Sequence, residues 1–220
     1  MSHLPDMTGV RANLAFTCTH EADRLPSLDP QADQLFKYAR YLQTKKGPKN
    51  FDDIARYYRI AAAYSHYKAN HNLQQLVSEG LASSPYPERE SIELASLLID
   101  QGVPTGYYDI GYYLNLGYGL KQNKEMALRY FRKAADLGNA DAQFYVADQL
   151  APLDMAPAIA KQMRQCATDQ GHGKAALMLA VDLQVDKHYS EAVKAFQKGV
   201  QAGDPNAASF LKNGFIAPSS

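Results

Sequence analysis

The residue types that could bind a metal ion are few in this sequence. Cys18 and His20 offer two metal ligands, but two ligands do not complete a zinc site, which takes three or four from the protein. His66 and His71 lie five residues apart, so they do not share one face of a helix. These residues therefore predict no metal site.

Two further patterns could be mistaken for phosphate-binding or catalytic motifs. Gly117 and Gly119 flank one tyrosine, but a preceding strand and a third glycine are missing, which favours a turn. Asp52 and Asp53 fit the first turn of a helix, where carboxylates interact favourably with the helix dipole. The sequence also lacks the His-x-Lys-x-x-x-x-Asp motif of phospholipase D and the Gly-x-Ser-x-Gly and His-Glu-x-x-His motifs. We therefore predict a protein that is not an enzyme and needs no cofactor.

The composition indicates a folded protein that does not bind nucleic acid and does not insert into a membrane. The chain has 220 residues and is 46% hydrophobic, which is typical of a globular domain. Its 23 basic and 23 acidic side chains give a net charge of zero, whereas a nucleic-acid binder usually carries a basic surface. The apolar runs are shorter than the roughly 20 residues that span a bilayer. Residues 1–6 show no export signal, so the protein is either cytoplasmic or a mature exported form.

A short signature that begins with glycine recurs along the chain. Its copies begin at Gly102, Gly138, Gly171 and Gly203, and a degenerate first copy begins at Ser65. Successive copies begin 32–37 residues apart, a spacing typical of stacked helical hairpins. One hairpin cannot cover its own apolar face, so several copies are expected to stack.

Each signature lies between two helical patterns. Before Gly138, residues at three- and four-residue steps form one helix face, and they are Ala127, Tyr130, Phe131, Ala134 and Ala135. Asn123 fits the N-cap of this helix and Gly138 fits its C-terminal end. After each glycine a second helix begins, with small or apolar residues four, eight and twelve positions on, the last of them Phe215.

These patterns predict an all-α fold. We expect a right-handed α-solenoid of about five helix-turn-helix repeats over residues 27–220, preceded by an irregular segment over residues 1–26. The first helix is expected from Pro30 to Lys45, with Asp29 as its N-cap.

The two cysteines allow two interpretations. Cys166 takes the position that Ala134 and Gly199 hold in other copies, which indicates a small buried residue. In an exported protein, Cys18 and Cys166 could instead form a disulfide. The sequence leaves both interpretations open.

The copy that ends at Gly138 resembles the Sel-1-like repeat. It reads Ile110-Gly111-x-x-Leu114-x-x-Gly117-x-Gly119-Leu120 and closes with Lys133-Ala-Ala-Asp-Leu-Gly138. That is similar to the Leu-Gly step, Gly-x-Gly loop and Lys-Ala-Ala run of the family, which is related to the tetratricopeptide repeat. The later copies lack the Gly-x-Gly loop, so the resemblance weakens toward the C-terminus.

The chain as a whole resembles a bacterial subgroup of Sel-1-like repeat proteins, through Asp29-Pro-x-Ala-Asp33, Tyr58-Arg-Ile-Ala and His66-Tyr-Lys-Ala-Asn70. Members of that subgroup are taken to be immunity proteins against phospholipase D effectors of type VI secretion. The resemblance implies a protein, monomeric when free, that neutralises such an effector in the periplasm. The alternatives are a cytoplasmic location and a general adaptor or scaffold in a bacterial signalling or assembly complex.

A partner would bind the concave face of a solenoid, which the first helix of each pair is expected to line. The positions that the pattern turns outward give the candidate partner-binding residues Tyr107, Asp109, Tyr112, Tyr113, Tyr145, Asp148, Met178 and Phe210. Exposed tyrosines are typical of protein interfaces. A helix phase shifted by one residue would instead place the tyrosines in the core between repeats.

Overall fold

The computed structural model describes residues 4–5, 15–150 and 157–213, and this part of the chain is helical and has no strand. A 3-10 helix, Glu21–Arg24, precedes α1 (Pro30–Thr44), α2 (Phe51–Ala63), α3 (Tyr67–Ser78), α4 (Pro87–Asp100), α5 (Thr105–Leu116), α6 (Lys124–Asp136), α7 (Ala140–Leu150), α8 (Pro157–Asp169), α9 (Gly173–Val185), α10 (Tyr189–Gln201) and α11 (Pro205–Asn213). The prediction of an all-α fold is confirmed. Phe215 lies outside the described residues. Within them, every helix is too short or too polar to cross a membrane.

Several helices begin where the sequence offers a side-chain acceptor for their first backbone N–H groups. Asp29 caps α1 as predicted, since its Oδ1 accepts from the backbone N–H groups of Gln31 and Ala32, each at 2.9 Å. Asn123 caps α6, where its Oδ1 accepts from Met126 N at 3.0 Å. These caps satisfy donors that have no partner inside the helix.

The glycine signature marks the helix ends. Gly102, Gly138, Gly171 and Gly203 all have positive φ angles, between 75° and 109°. Glycine adopts this left-handed conformation without the steric cost that a Cβ atom imposes, so it reverses the chain after a helix. Ser65, which replaces glycine in the first copy, also has a positive φ, of 61°. The repeated signature is therefore a repeated helix stop.

The described residues divide into two compact units. Unit 1 contains residues 4–5 and 24–130, and unit 2 contains residues 15–23, 131–150 and 157–213, so the division falls within α6. In unit 1 the odd-numbered helices form one layer, in which His71 of α3 lies 3.6 Å from Asp109 of α5. The even-numbered helices form a second layer, in which Arg59 of α2 donates to Glu90 of α4 at 2.8 Å. Unit 1 is thus a stack of two-helix hairpins.

Each unit contains one histidine joint, an arrangement in which a capping histidine also contacts the preceding odd-numbered helix. In unit 1, His66 Nδ1 accepts from Ala69 N at 3.1 Å, while Nε2 lies 3.3 Å from Asp33 Oδ1. The His66 ring stacks on Phe36 with centroids 4.5 Å apart. Because Nδ1 accepts a hydrogen bond, Nε2 is the nitrogen that donates to the Asp33 carboxylate.

The histidine joint of unit 2 repeats this geometry. His172 Nδ1 accepts from the backbone N–H at the start of α9 at 3.0 Å, and Nε2 lies 3.1 Å from Asp141 Oδ1. The ring stacks on Phe144 with centroids 4.9 Å apart. Both joints follow one sequence pattern, an Asp three residues before a Phe on one odd-numbered helix and a His before the next.

Unit 2 is closed by residues 15–21, which we call the strap. The strap lies across α6, α7 and α8, and Thr19 and Glu21 anchor it by hydrogen bonds. Thr19 Oγ1 donates to Asp136 O at 2.9 Å, and Gln143 Nε2 donates to Thr19 O at 3.0 Å. Glu21 N donates to Gly138 O at 3.1 Å. Part of the predicted irregular N-terminal segment is therefore an ordered element of unit 2.

A disulfide joins the strap to α8. Cys18 and Cys166 are bonded across a sequence separation of 148 residues, with their Cα atoms 5.6 Å apart. Cys166 is also buried, as its place among small residues predicted. Of the two interpretations that the sequence left open, both therefore hold, since Cys166 is a buried residue and a disulfide partner.

Candidate protein-binding surface

The eight residues predicted to bind a partner differ widely in exposure. Tyr112, Asp148 and Phe210 are exposed, and Tyr107, Tyr145 and Met178 are half-buried. Asp109 and Tyr113 are buried, so the prediction that they face outward is wrong. The prediction that the remaining six form a partner surface requires a binding experiment.

Tyr113 belongs to a buried polar chain of unit 1. Its hydroxyl donates to Gln74 Oε1 at 2.9 Å, Gln74 Nε2 donates to Asn70 Oδ1 at 2.8 Å, and Asn70 Nδ2 donates to Leu94 O at 3.0 Å. Burial, and secondarily the carboxylate of Asp109, raises the pKa of Tyr113 far above its usual value. The alternative interpretation, a core position, is correct for this tyrosine.

Asp109 is buried because α5 packs against two neighbours at once. On one side, Gly106 fits so closely against α4 that a Cβ atom there would lie 2.7 Å from the backbone of Ala95 and Ile99. Asp109 lies on the side that faces α3, where its carboxylate is 3.6 Å from His71 Nδ1. A helix that packs between two others buries a wider part of its surface than a helix with one neighbour. The sequence prediction assigned only the residues four, eight and twelve positions after each glycine to the buried face.

The aromatic candidates that remain at the surface rest on other rings. Tyr107 lies 6.2 Å from the ring of Tyr130, and Tyr145 lies 4.2 Å from the ring of Phe131. In both tyrosines burial raises the pKa, and a nearby aspartate adds to the effect. Phe210 is 41% exposed and stacks on a buried ring of α10. These side chains therefore present one edge to solvent while the rest of the ring packs.

The sequence patterns missed a group of tyrosines on α1, on α2 and at the C-cap of α2, which we call the tyrosine patch. It comprises Tyr38, Tyr41 and Tyr64, which are exposed, and Tyr57, which is half-buried. Tyr41 and Tyr64 are 61% and 65% exposed. The rings of Tyr38 and Tyr57 meet edge to face with centroids 5.0 Å apart, and the Arg56 guanidinium lies 5.1 Å from the Tyr57 ring. Tyr38 and Tyr41 are three residues apart and Tyr57 and Tyr64 are seven apart, spacings that place each pair on one helix face. The sequence alignment of repeats did not include this hairpin, because it precedes the first glycine signature.

One repeat of this chain matches a known repeat family. Residues 104–139, which cover α5, α6 and the turns around them, match the model of the Sel1 repeat. Among curated proteins, none has a significantly similar sequence.

Solved structures give the longest matches. The immunity protein PA5088 of Pseudomonas aeruginosa is 30% identical and superposes with a TM-score of 0.76, over 93% of this chain and 78% of that one. The immunity protein Pa5087 of the same species is 29% identical, with a TM-score of 0.75 over 94% of this chain and 79% of that one. A Sel1 repeat protein of Oxalobacter formigenes, 20% identical, shares the fold with a TM-score of 0.65 over 82% of this chain and 56% of that one.

The fold and these matches define the class as an α-solenoid of helical hairpins. The chain belongs to the Sel1 repeat family. It is therefore a repeat protein of a kind that acts through contacts with other proteins.

Proposed function

We propose that this protein is an immunity protein that binds and neutralises a secreted lipase of the phospholipase D class. The observation that carries the proposal is its likeness to two immunity proteins over 93–94% of its length. The target class comes from the resemblance of the whole chain to the subgroup associated with phospholipase D effectors of type VI secretion. In this proposal the protein acts by occluding or distorting the effector and has no catalytic activity of its own.

The proposal includes action in the periplasm. The Cys18–Cys166 disulfide supports that compartment, because disulfides persist in the oxidising periplasm and are rare in the cytosol. A periplasmic immunity protein has to remain folded without cytosolic chaperones. A cross-link that closes a long loop favours the folded state.

The exposed tyrosines of unit 1 are the side chains that we expect to contact the effector. Tyr112 on α5 is 48% exposed, and Tyr64 of the tyrosine patch is 65% exposed. Tyrosine combines a large apolar area with a hydroxyl and loses little conformational entropy on binding, so it is enriched among the residues that dominate interface energies. Neither side chain is needed to fill the core.

The test is inhibition of a purified phospholipase D effector of type VI secretion. Purified effector is assayed on phospholipid vesicles with increasing amounts of the full chain, and complex formation is measured by calorimetry. We expect stoichiometric inhibition and a 1:1 complex. A chain that neither binds nor inhibits the effector contradicts the proposed function, and recovery of several signalling or assembly proteins would favour the adaptor alternative.

Three single variants locate the surface. Tyr112→Ala and Tyr64→Ala are compared with Tyr86→Ala, which removes a tyrosine that is 69% exposed at the start of α4. We expect Tyr112→Ala or Tyr64→Ala to weaken binding about 30-fold, as loss of an interface hot spot does, and Tyr86→Ala to leave it unchanged. If all three bind like the original chain, the surface is wrong, whereas inhibition by the original chain still decides the function.

A further inference from the structure

Three potential metal ligands meet where the strap crosses α8. The ligand atoms of Cys18, His20 and Cys166 all lie within 4.8 Å of one another. The sequence presented only Cys18 and His20 together, and folding adds Cys166 from the other end of the chain. Two sulfur atoms and an imidazole nitrogen form a ligand set that binds zinc in preference to calcium or magnesium.

Contacts other than the disulfide hold this cluster together. His20 lies between Thr19 and Glu21, and both neighbours are anchored to unit 2. Thr19 accepts from Gln143 and donates to Asp136, and Glu21 N donates to Gly138 O. These hydrogen bonds do not involve sulfur, so they keep Cys18 and His20 beside Cys166 when the disulfide is broken.

We propose that the reduced protein binds one Zn²⁺ ion through Cys18 Sγ, a ring nitrogen of His20 and Cys166 Sγ, so that zinc and the disulfide are alternative links between the strap and α8. A dithiol reductant supplies two electrons and two protons, which break the S–S bond and leave two thiols. Zinc then replaces the proton on each thiol, and both protons pass to solvent. Three protein ligands leave the fourth tetrahedral position to water.

The two links belong to different conditions. In an oxidising compartment the sulfur atoms are bonded to each other and cannot act as thiolate ligands, so the cluster binds no zinc. In a reducing compartment the ion takes the place of the S–S bond. The strap would therefore stay attached in both environments. This inference depends on unit 2 alone and stands apart from the proposed function.

The experiment uses the full chain, reduced with a phosphine, freed of reductant without oxygen, and titrated with Co²⁺ and then with Zn²⁺. We expect one equivalent of Co²⁺ to bind with a thiolate-to-cobalt charge-transfer band, and Zn²⁺ to abolish that band. Zinc is also expected to raise the thermal unfolding temperature of the reduced chain, because an ion that binds only the folded state stabilises it. The oxidised chain is expected to show no band.

His20→Ala is the decisive variant, since it keeps the disulfide and hence a folded oxidised form. We expect it to weaken zinc binding more than about 100-fold, because it removes a metal ligand itself. That loss is larger than the loss expected when only a hydrogen-bond partner of a ligand is removed. The matched control is His188→Ala, which removes an exposed histidine that lines the cavity next to the disulfide but lies outside the cluster. Less than one equivalent of metal on the reduced chain, or equal binding by His20→Ala and the original chain, would overturn the proposal.

Discussion

The histidine joint occurs once in each unit, and its surroundings differ. In unit 1 the His66 side chain is fully buried, and a separate buried chain of hydrogen bonds joins Asn70, Gln74 and Tyr113. In unit 2 the His172 side chain is 14% exposed, and its partner Asp141 is 60% exposed. Unit 2 instead carries the strap and the disulfide, which unit 1 lacks among its described residues.

The difference shows two ways to secure the same repeat. Unit 1 is held by a buried chain of hydrogen bonds whose every member depends on its neighbours, because an unsatisfied polar group is costly in the core. Unit 2 is held by a segment from elsewhere in the sequence and by a covalent bond. Substitutions at equivalent positions should therefore have unequal effects in the two units.

Removal of the disulfide should have the largest effect, and the loss of protection should be greatest in unit 2, which contains both cysteines. The double variant Cys18→Ser with Cys166→Ala is expected to lose about 2–5 kcal/mol of the free energy of unfolding, since the cross-link closes a long loop. Hydrogen exchange should show a larger decrease of protection in α8 and the strap than in α2 and α3. Equal loss of protection in both units would contradict the comparison.

The two histidine joints can be tested as a pair. His66→Ala is expected to cost about 3 kcal/mol of stability, because it removes a fully buried ring as well as a helix cap. His172→Ala serves as the matched variant and should cost about 1 kcal/mol, the value of the cap itself. Urea denaturation of both variants measures the difference, and equal costs would mean that burial of the joint is unimportant.

The contact between the strap and Gly138 can be separated from the strain of a positive φ. A Cβ atom at Gly138 would lie 2.6 Å from Glu21 N and from His20 C, whereas at Gly171 it would meet nothing within 4 Å. Both glycines have positive φ angles. We expect Gly138→Ala to cost about 2–3 kcal/mol and Gly171→Ala about 1 kcal/mol. If thermal unfolding shows the same loss for both, the strap does not press on Gly138.

The smallest expected effect concerns the polar chain of unit 1. Tyr113→Phe removes the hydroxyl that donates to Gln74, which leaves a buried acceptor unsatisfied and should cost about 1–2 kcal/mol. Tyr112→Phe, at the neighbouring exposed position, should change the free energy of unfolding by less than about 0.5 kcal/mol. Chemical denaturation distinguishes the two, and a neutral Tyr113→Phe would mean that its hydrogen bond to Gln74 adds little to the stability of unit 1.

Local features of the fold were predictable from the sequence. The Asp29 cap of α1 and the helix stop at Gly138 depend on one residue and its immediate neighbours, and both were predicted correctly. The exposure of the candidate surface residues was harder to predict from the sequence. Tyr112 is exposed as expected, but Tyr113, one residue on, is buried against α3, since exposure depends on how many helices surround α5. The tyrosine patch was not predicted because the hairpin of α1 and α2 lacks the glycine signature from which the other repeats were aligned.

The sequence by itself determined that this protein is a series of helical hairpins, because helix period, caps and left-handed stops are written in residues close to one another. The tertiary structure alone decided that Cys18 bonds to Cys166, that His20 lies beside them, and that Asp109 and Tyr113 face the core. These outcomes depend on contacts between residues far apart in the chain. Spacing along the sequence carries no information about such contacts until the hairpins have packed.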